Sequence, residues 1–253
     1  MKDRKVAPRA SAGRAGMDWM AVGAHADDVE LGAGGTLLRL KALGRRGVII
    51  DLTDASMGTR GTPAIRAREA ASSARVLGAE RVNLGLPDGR LALDWDSERR
   101  LVEAIREYRP KVLITHHWQE EHPDHGVAAR LVKRAAFASG FAKLDCPGKP
   151  HRPGRIFHFI GEALHEPSFC VDITPHWKDK LRSIACYRSQ FHHPGAAAFA
   201  GKTDLATPAF LENLEARNRF WGIRVRRRFA EAFVSAELPE VHDITALGLE
   251  RFP

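Results

Sequence analysis

A chain of 253 residues with 44% hydrophobic and 28% charged side chains has room for one sizeable α/β domain and buries too much to be a disordered polymer. Its net charge of +8 is concentrated: Lys2, Arg4, Lys5, Arg9 and Arg14 face Asp3 alone, so residues 1–16 read as a disordered basic tail ahead of one domain over 17–253. A second basic cluster, Arg217, Arg219, Arg224, Arg226, Arg227 and Arg228, is too narrow for a nucleic-acid face and reads as solvated surface; no nucleic-acid partner is expected, and the basicity suits a small acidic substrate.

The elements follow in order. Trp19–Val22 is a short apolar strand entering Gly23, and Leu37, Leu38, Leu40 and Leu43 mark a helix stopped by Gly44. Val48–Ile50 is continuously apolar, as a parallel strand covered on both faces is. Thr62-Pro63 is a cap followed by proline at the first helical position, opening a helix to about Leu77. Val82–Leu84 is a brief strand ended by the turn Pro87-Asp88-Gly89. A helix over Ser97–Tyr108, a strand at Val112–Ile114, a His-rich loop and a helix from Asp124 to Ala138 complete a β-α alternation. That alternation predicts an α/β fold with a mostly parallel sheet and helices on both faces. Beyond a Pro/Gly-rich loop at 145–154, strands are expected at Ile156–Ile160, Phe169–Val171 and Phe229–Val234, with helix starts at Thr174-Pro175 and Thr207-Pro208.

No apolar run approaches the ~20 residues that span a bilayer, and no apolar segment follows the N-terminal charges as in a secretory signal, so no membrane partner is expected. Cys146, Cys170 and Cys186 form no C-x-x-C pair, which fits a reducing, cytoplasmic location.

The chemistry is carried by two clusters, His25-Ala26-Asp27-Asp28 and His122-Pro123-Asp124-His125. Each follows a predicted parallel strand, so both belong at the carboxyl edge of the sheet, where open α/β folds bind ligands. A catalytic zinc takes three protein ligands from imidazole and carboxylate, leaving a position open. His25 and Asp28 can face one point, and His125 supplies the third ligand. Asp27 and His122 are then left unliganded on either side, as a general base and a protonated, oxyanion-stabilising acid partner would be. Asp124 is placed to hold the His122 imidazole.

The stretch Gly23–Gly32 resembles the first motif of the PIG-L/LmbE-like zinc-dependent N-deacetylases, and His122–His125 their second. Asp51-Leu52-Thr53, Gly58–Thr62 with Arg66 and Glu69, Asn83–Asp88 and Ser189-Gln190-Phe191 resemble the bacillithiol-biosynthesis branch. The resemblance covers nearly all of the chain after residue 17. It implies a Rossmann-like fold, zinc (or Fe²⁺) on His25, Asp28 and His125, Asp27 as base, His122 and Asp124 as its partners, and Arg66 as a substrate contact. It also implies an acidic N-acetylglucosaminide, N-acetylglucosaminyl malate, as substrate and a homo-oligomer, commonly a hexamer.

Two positions depart from that branch. Glu121 stands where arginine is frequent, and Phe229 where a tyrosine precedes Ala-Glu-x-Phe. Elsewhere, Arg66 by default is solvent-facing or pairs with Glu69 on its helix. Of His116 and His117, one is expected to pack and the other to be solvated. His165 can reach the pocket, whereas His192 and His193 belong on the surface. Gly32-Ala33-Gly34-Gly35 fails the dinucleotide spacing, and carboxylates at Asp27 and Asp28 would repel a pyrophosphate, so these glycines read as close packing of a helix on the sheet. The alternatives are a related amidase acting on another N-acylated sugar or thiol conjugate, and a non-catalytic nucleotide- or sugar-binding module.

Overall fold

The computed structural model describes residues 16–161, 163–192 and 201–247; the basic tail up to residue 15 and His193 lie outside them. The strands are β1 (Trp19–Gly23), β2 (Gly47–Thr53), β3 (Glu80–Leu86), β4 (Val112–His116), β5 (Arg155–Phe159), β6 (Phe169–Asp172) and β7 (Ala230–Val234). The helices are α1 (Asp28–Ala42), α2 (Pro63–Leu77), α3 (Trp95–Tyr108), α4 (Pro123–Ala138), α5 (Trp177–Ile184) and α6 (Pro208–Arg224). One seven-stranded sheet runs in the order β3-β2-β1-β4-β5-β7-β6. Strands β1 to β5 are parallel, and β7 is antiparallel to both β5 and β6. The expected α/β architecture is therefore present as a single domain, with an antiparallel strand pair added at one edge.

Continuous apolar strands arise because both faces are covered. In β1, Met20 and Val22 join α3 and α4 residues such as Leu101, Ile105 and Leu131, while Trp19 and Ala21 join Val29, Ala33 and Leu37 of α1 on the other face. Gly32 lets α1 lie directly on the sheet, since a Cβ there would run into the Phe159 ring. Thr62 caps α2 by accepting from the Ile65 amide at 3.3 Å, and Gly78 ends the helix at φ 69°. Thr207 caps α6 in the same way. Thr174-Pro175 instead opens a single 3₁₀ turn, from which α5 continues at Trp177.

A buried ion pair joins α1 to the far end of the chain. The Glu231 carboxylate on β7 accepts from the amides of Gly35 (2.9 Å) and Thr36 (2.7 Å) and from Lys180 Nζ (2.6 Å). Lys180 Nζ also donates to the Leu31 carbonyl at 2.9 Å. In the arginine cluster Arg219, Arg224 and Arg227 pair with Glu215, Glu166 and Asp172, as a solvated charged surface does. Phe229 is core, stacked on Trp177 with ring centroids 4.3 Å apart. Among the described residues no helix is long and apolar enough to cross a membrane.

Candidate active site

The strand order reverses direction between β1 and β4, and both motifs follow these two strands, at the switch point where α/β sheets open a crevice. The loop after β1 is pinned by the Ala24 carbonyl, which accepts from the Thr53 amide (2.9 Å) and hydroxyl (3.0 Å). It turns into α1 through Asp27, whose φ of 120° is a conformation that L residues adopt only under strain, of order 1–3 kcal/mol. Asp28 then opens the helix, and its Oδ2 accepts from the His25 amide at 2.7 Å.

Asp28 is the centre of the cluster. Its carboxylate lies 3.5 Å from His25 Nδ1, 3.4 Å from His125 Nε2 and 3.0 Å from His116 Nε2. The rings of His122 and His125 stack at 4.7 Å, and His122 meets His25 edge-on at 4.8 Å. Three overlapping donor sets, His25–His122–His125, Asp28–His116–His125 and His25–Asp88–Asp124, have ligand atoms within 4.8 Å of one another. Donors of this chemistry, imidazole and carboxylate converging at a half-open crevice, fit a zinc-class ion.

His25 is held from behind. Its Nε2 lies 3.1 Å from Asp88 Oδ1 and 3.5 Å from Asp124 Oδ2, which leaves Nδ1 facing Asp28. The Asp124 carboxylate also accepts from the amides of Gly89 and Leu91, tying α4 to the turn after β3. The expected Asp124–His122 contact is thus made differently. Asp124 sits in the first turn of α4, so its carboxylate points back to those turn amides, and only its main-chain N–H reaches His122 Nδ1, at 3.2 Å.

That amide makes His122 the cap of α4 and uses Nδ1 as an acceptor, so the neutral ring carries its hydrogen on Nε2. Burial, then the nearby His125 and His25, holds its pKa below the ordinary imidazole value. The neutral ring therefore offers its Nε2–H as a hydrogen-bond donor. Glu121 is exposed and does not line the cavity.

Asp27 faces the same cavity from the other side. Its Oδ2 pairs with Arg66 at 3.1 Å, and the same guanidinium donates to the Ala26 carbonyl and stacks over Tyr187 at 5.4 Å. Burial drives the Asp27 carboxyl up to about 6, against the pull of Arg66. Arg66 is buried and does not pair with Glu69, which accepts from Ser189 instead. Burial also disfavours the charged forms of Asp28 and His25. Even so, His125 and His116 hold Asp28 well below the carboxylate range, and the carboxylates of Asp124, Asp28 and Asp88 hold His25 well above its own. The hydrogen bond from His25, with the Met57 amide, brings Asp88 to about 2.

Two participants were not singled out from sequence. Asp88 read as a turn residue and as the end of a branch-like stretch but was given no role, although its position at a third strand end on the same edge was a usable signal. His116, the last residue of β4, is buried, with Nε2 3.0 Å from both Asp28 Oδ2 and the Ala24 nitrogen. His117 is buried too, not solvated, stacked between Trp118 (4.1 Å) and His165 (3.7 Å). That stacking and the Gln119 carbonyl engage His165 away from the cavity. His192 is exposed as expected. The cavity itself is about 400 Å³, bounded by the two motifs, Met57–Thr59, Arg66, Gln190 and Thr203–Leu205.

This arrangement has relatives. Residues 20–136 match the PIG-L family model, GlcNAc-PI de-N-acetylase. Diacetylchitobiose deacetylase of Thermococcus kodakarensis is 32% identical over 183 residues, covering 66% of this chain and 67% of that protein. The crystal structure of a conserved protein from Thermus thermophilus superposes with a TM-score of 0.81 at 37% identity, over 89% of this chain and 97% of that one. N,N'-diacetylchitobiose deacetylase from Pyrococcus horikoshii follows with a TM-score of 0.75 at 26% identity, over 86% and 82% of the two chains. Fold, motif placement and these matches agree: the chain belongs to the PIG-L family.

Proposed function

We propose that this protein is a metal-dependent N-deacetylase that hydrolyses the acetamide of an N-acetylglucosamine derivative. The observation that carries the reading is the convergence of His25 Nδ1 and His125 Nε2 on the Asp28 carboxylate, beside an unliganded, strained and buried Asp27. The family membership and the deacetylase relatives support the acetylated sugar as the substrate class. A non-catalytic binding module has no use for a strained carboxylate held at the mouth of a donor set.

In this reading His25, Asp28 and His125 hold the ion, zinc or ferrous iron. When bound, it supplies Lewis acidity toward the acyl oxygen and lowers the pKa of water. Asp88 and Asp124 keep His25 Nδ1 turned to the ion. Asp27 accepts the proton of the attacking water, and Arg66 holds the carboxylate in place for it. His122 Nε2–H donates to the acyl oxygen as charge develops there. The proton taken up by Asp27 is the one the amine requires when the C–N bond breaks, releasing acetate and the free glucosamine derivative.

The narrower substrate, N-acetylglucosaminyl malate, comes from the resemblance of the branch motifs, with Arg66 as the receptor for its carboxylates. That guanidinium is engaged by Asp27 and Ala26, so no acidic aglycone is carried into the proposal.

The test measures acetate release from a panel of N-acetylglucosaminides together with metal content. Asp27→Asn is expected to keep about one ion per chain and lose about 10²–10⁴ in turnover, while His125→Ala loses both. Turnover within a few-fold of wild type in Asp27→Asn, or full metal content in His125→Ala, would sink the assignment.

A further inference from the structure

A second cavity, of about 540 Å³, lies between the last turns of α4, β5 and the chain that leaves β7. It shares no lining residue with the catalytic cavity, and its volume holds a small organic molecule.

One buried nitrogen in its wall lacks a partner. His158 lines the cavity from β5 and is only 5% exposed. Its Nδ1 lies 2.7 Å from the His116 carbonyl, which can only accept, so Nδ1 carries a hydrogen. Burial, and then Lys133 nearby, lowers the pKa of the ring against the pull of that carbonyl. The neutral ring presents Nε2 as an acceptor, and no described residue donates to it. Its donor has to come from the cavity, and a hydroxyl supplies one.

The other walls are aromatic and cationic. The Phe137 and Phe141 rings meet edge to face at 5.3 Å and are both exposed, and the Arg152 guanidinium stacks on Phe137 at 4.1 Å. Arg134 closes on Glu98 at 2.7 Å, and Arg155 donates to the main-chain carbonyls of Glu237 and Leu238. Lys133 has no partner among the described residues, so the rim keeps a cationic excess over its one remaining acid, Glu237. An aliphatic chain would leave His158 unsatisfied, and a cation would meet the basic rim.

We propose that this cavity is a binding site for a small aromatic acid with a phenolic hydroxyl. The hydroxyl donates to His158 Nε2, the ring packs against Phe137 and Phe141, and the carboxylate faces Lys133.

The probe is para-hydroxyphenylpropionate, titrated into the full chain and followed by ligand-observed NMR. It is expected to bind with a Kd of about 1 mM or tighter. Phenylpropionate should bind about tenfold more weakly, because it leaves the buried acceptor open. The amide, para-hydroxyphenylpropionamide, should lose about two- to fivefold, as an exposed charge pair does. His158→Phe keeps a ring in place and should erase only the preference for the hydroxyl. Lys133→Gln, at an exposed position outside the catalytic machinery, should erase only the preference for the carboxylate and leave acetate release unchanged; it keeps the test alive if the buried variant does not fold. Absence of saturable binding, or preferences that survive these substitutions, overturns the site. So does displacement of the probe by methyl N-acetylglucosaminide, which would put the acid in the catalytic cavity. If the probe fails to bind and Phe137→Asp dissociates an oligomer in sedimentation, a second copy covers this face instead.

Discussion

Two sets of buried charge flank the first turns of α1, and they differ in completeness. On one side Arg81 donates to Asp51 through two bonds of 2.7 Å and to Glu30, which also accepts from Ser73 and Tyr187; behind them Lys180 closes on Glu231. On the other side Asp28, Asp88 and Asp124 surround His25, and beside them Asp27 pairs with Arg66, the one guanidinium paired with these carboxylates among the described residues. The first set is nearly neutral within itself. The second has four carboxylates against one guanidinium and the imidazole of His25, whose charged form they favour, and the remaining excess is what a divalent cation would balance. Closed buried charge holds the fold together; open buried charge marks where a ligand belongs.

Breaking the closed side should give the largest effect on stability and leave the metal chemistry of the folded molecules intact. Lys180→Met strands the Glu231 carboxylate in the interior, and removing one partner of a buried pair costs about 3–5 kcal/mol. Urea unfolding reads this directly, and a loss below about 1 kcal/mol would mean that the Gly35 and Thr36 amides satisfy Glu231 without the lysine.

A smaller effect, and on the open side, is expected from His116→Phe. The ring is kept for packing while the nitrogen facing Asp28 is lost, so metal affinity should fall about 10–100-fold with little change in unfolding. Chelator competition measures it; unchanged affinity would reduce His116 to a packing residue.

The mildest probe is pH. A general base works only when ionised, and burial raises Asp27 to about 6, so the acidic limb of kcat/KM should lie at or below about pH 6. Below it the rate falls about tenfold per unit as the carboxyl protonates; a bound cation favours the charged form and moves the limb lower still. A limb centred above pH 7 would belong to another group.

Much of this was readable in advance because it is local. Continuous apolar runs give β1, β2 and β4, and Thr62-Pro63 and Thr207-Pro208 place the starts of α2 and α6 by short-range hydrogen bonding. The two motifs could be set side by side from topology alone, since both follow parallel strands. What escaped depends on contacts between distant loops. Asp88 reaches His25 across 63 residues, and neither periodicity nor spacing encodes that approach. The side-chain direction of Asp124 was misjudged for the same reason: the amides of Gly89 and Leu91 that attract it belong to another strand's turn. Arg66 could be placed on its helix, yet its partner Asp27 lies 39 residues earlier, in a loop whose conformation no propensity predicts.

The Glu231 contact with Gly35 and Thr36 spans 196 and 195 residues, and this bears on how the enzyme is made. A ribosome delivers the chain from its N-terminus at about 5–20 residues per second, so His25–Asp28 emerges well before Glu231 does. Until β7 leaves the exit tunnel, neither those two amides nor Lys180 has its carboxylate, and α1 lacks its final anchor. A chain stopped before β7 would therefore carry both sequence motifs while α1 still lacks this anchor.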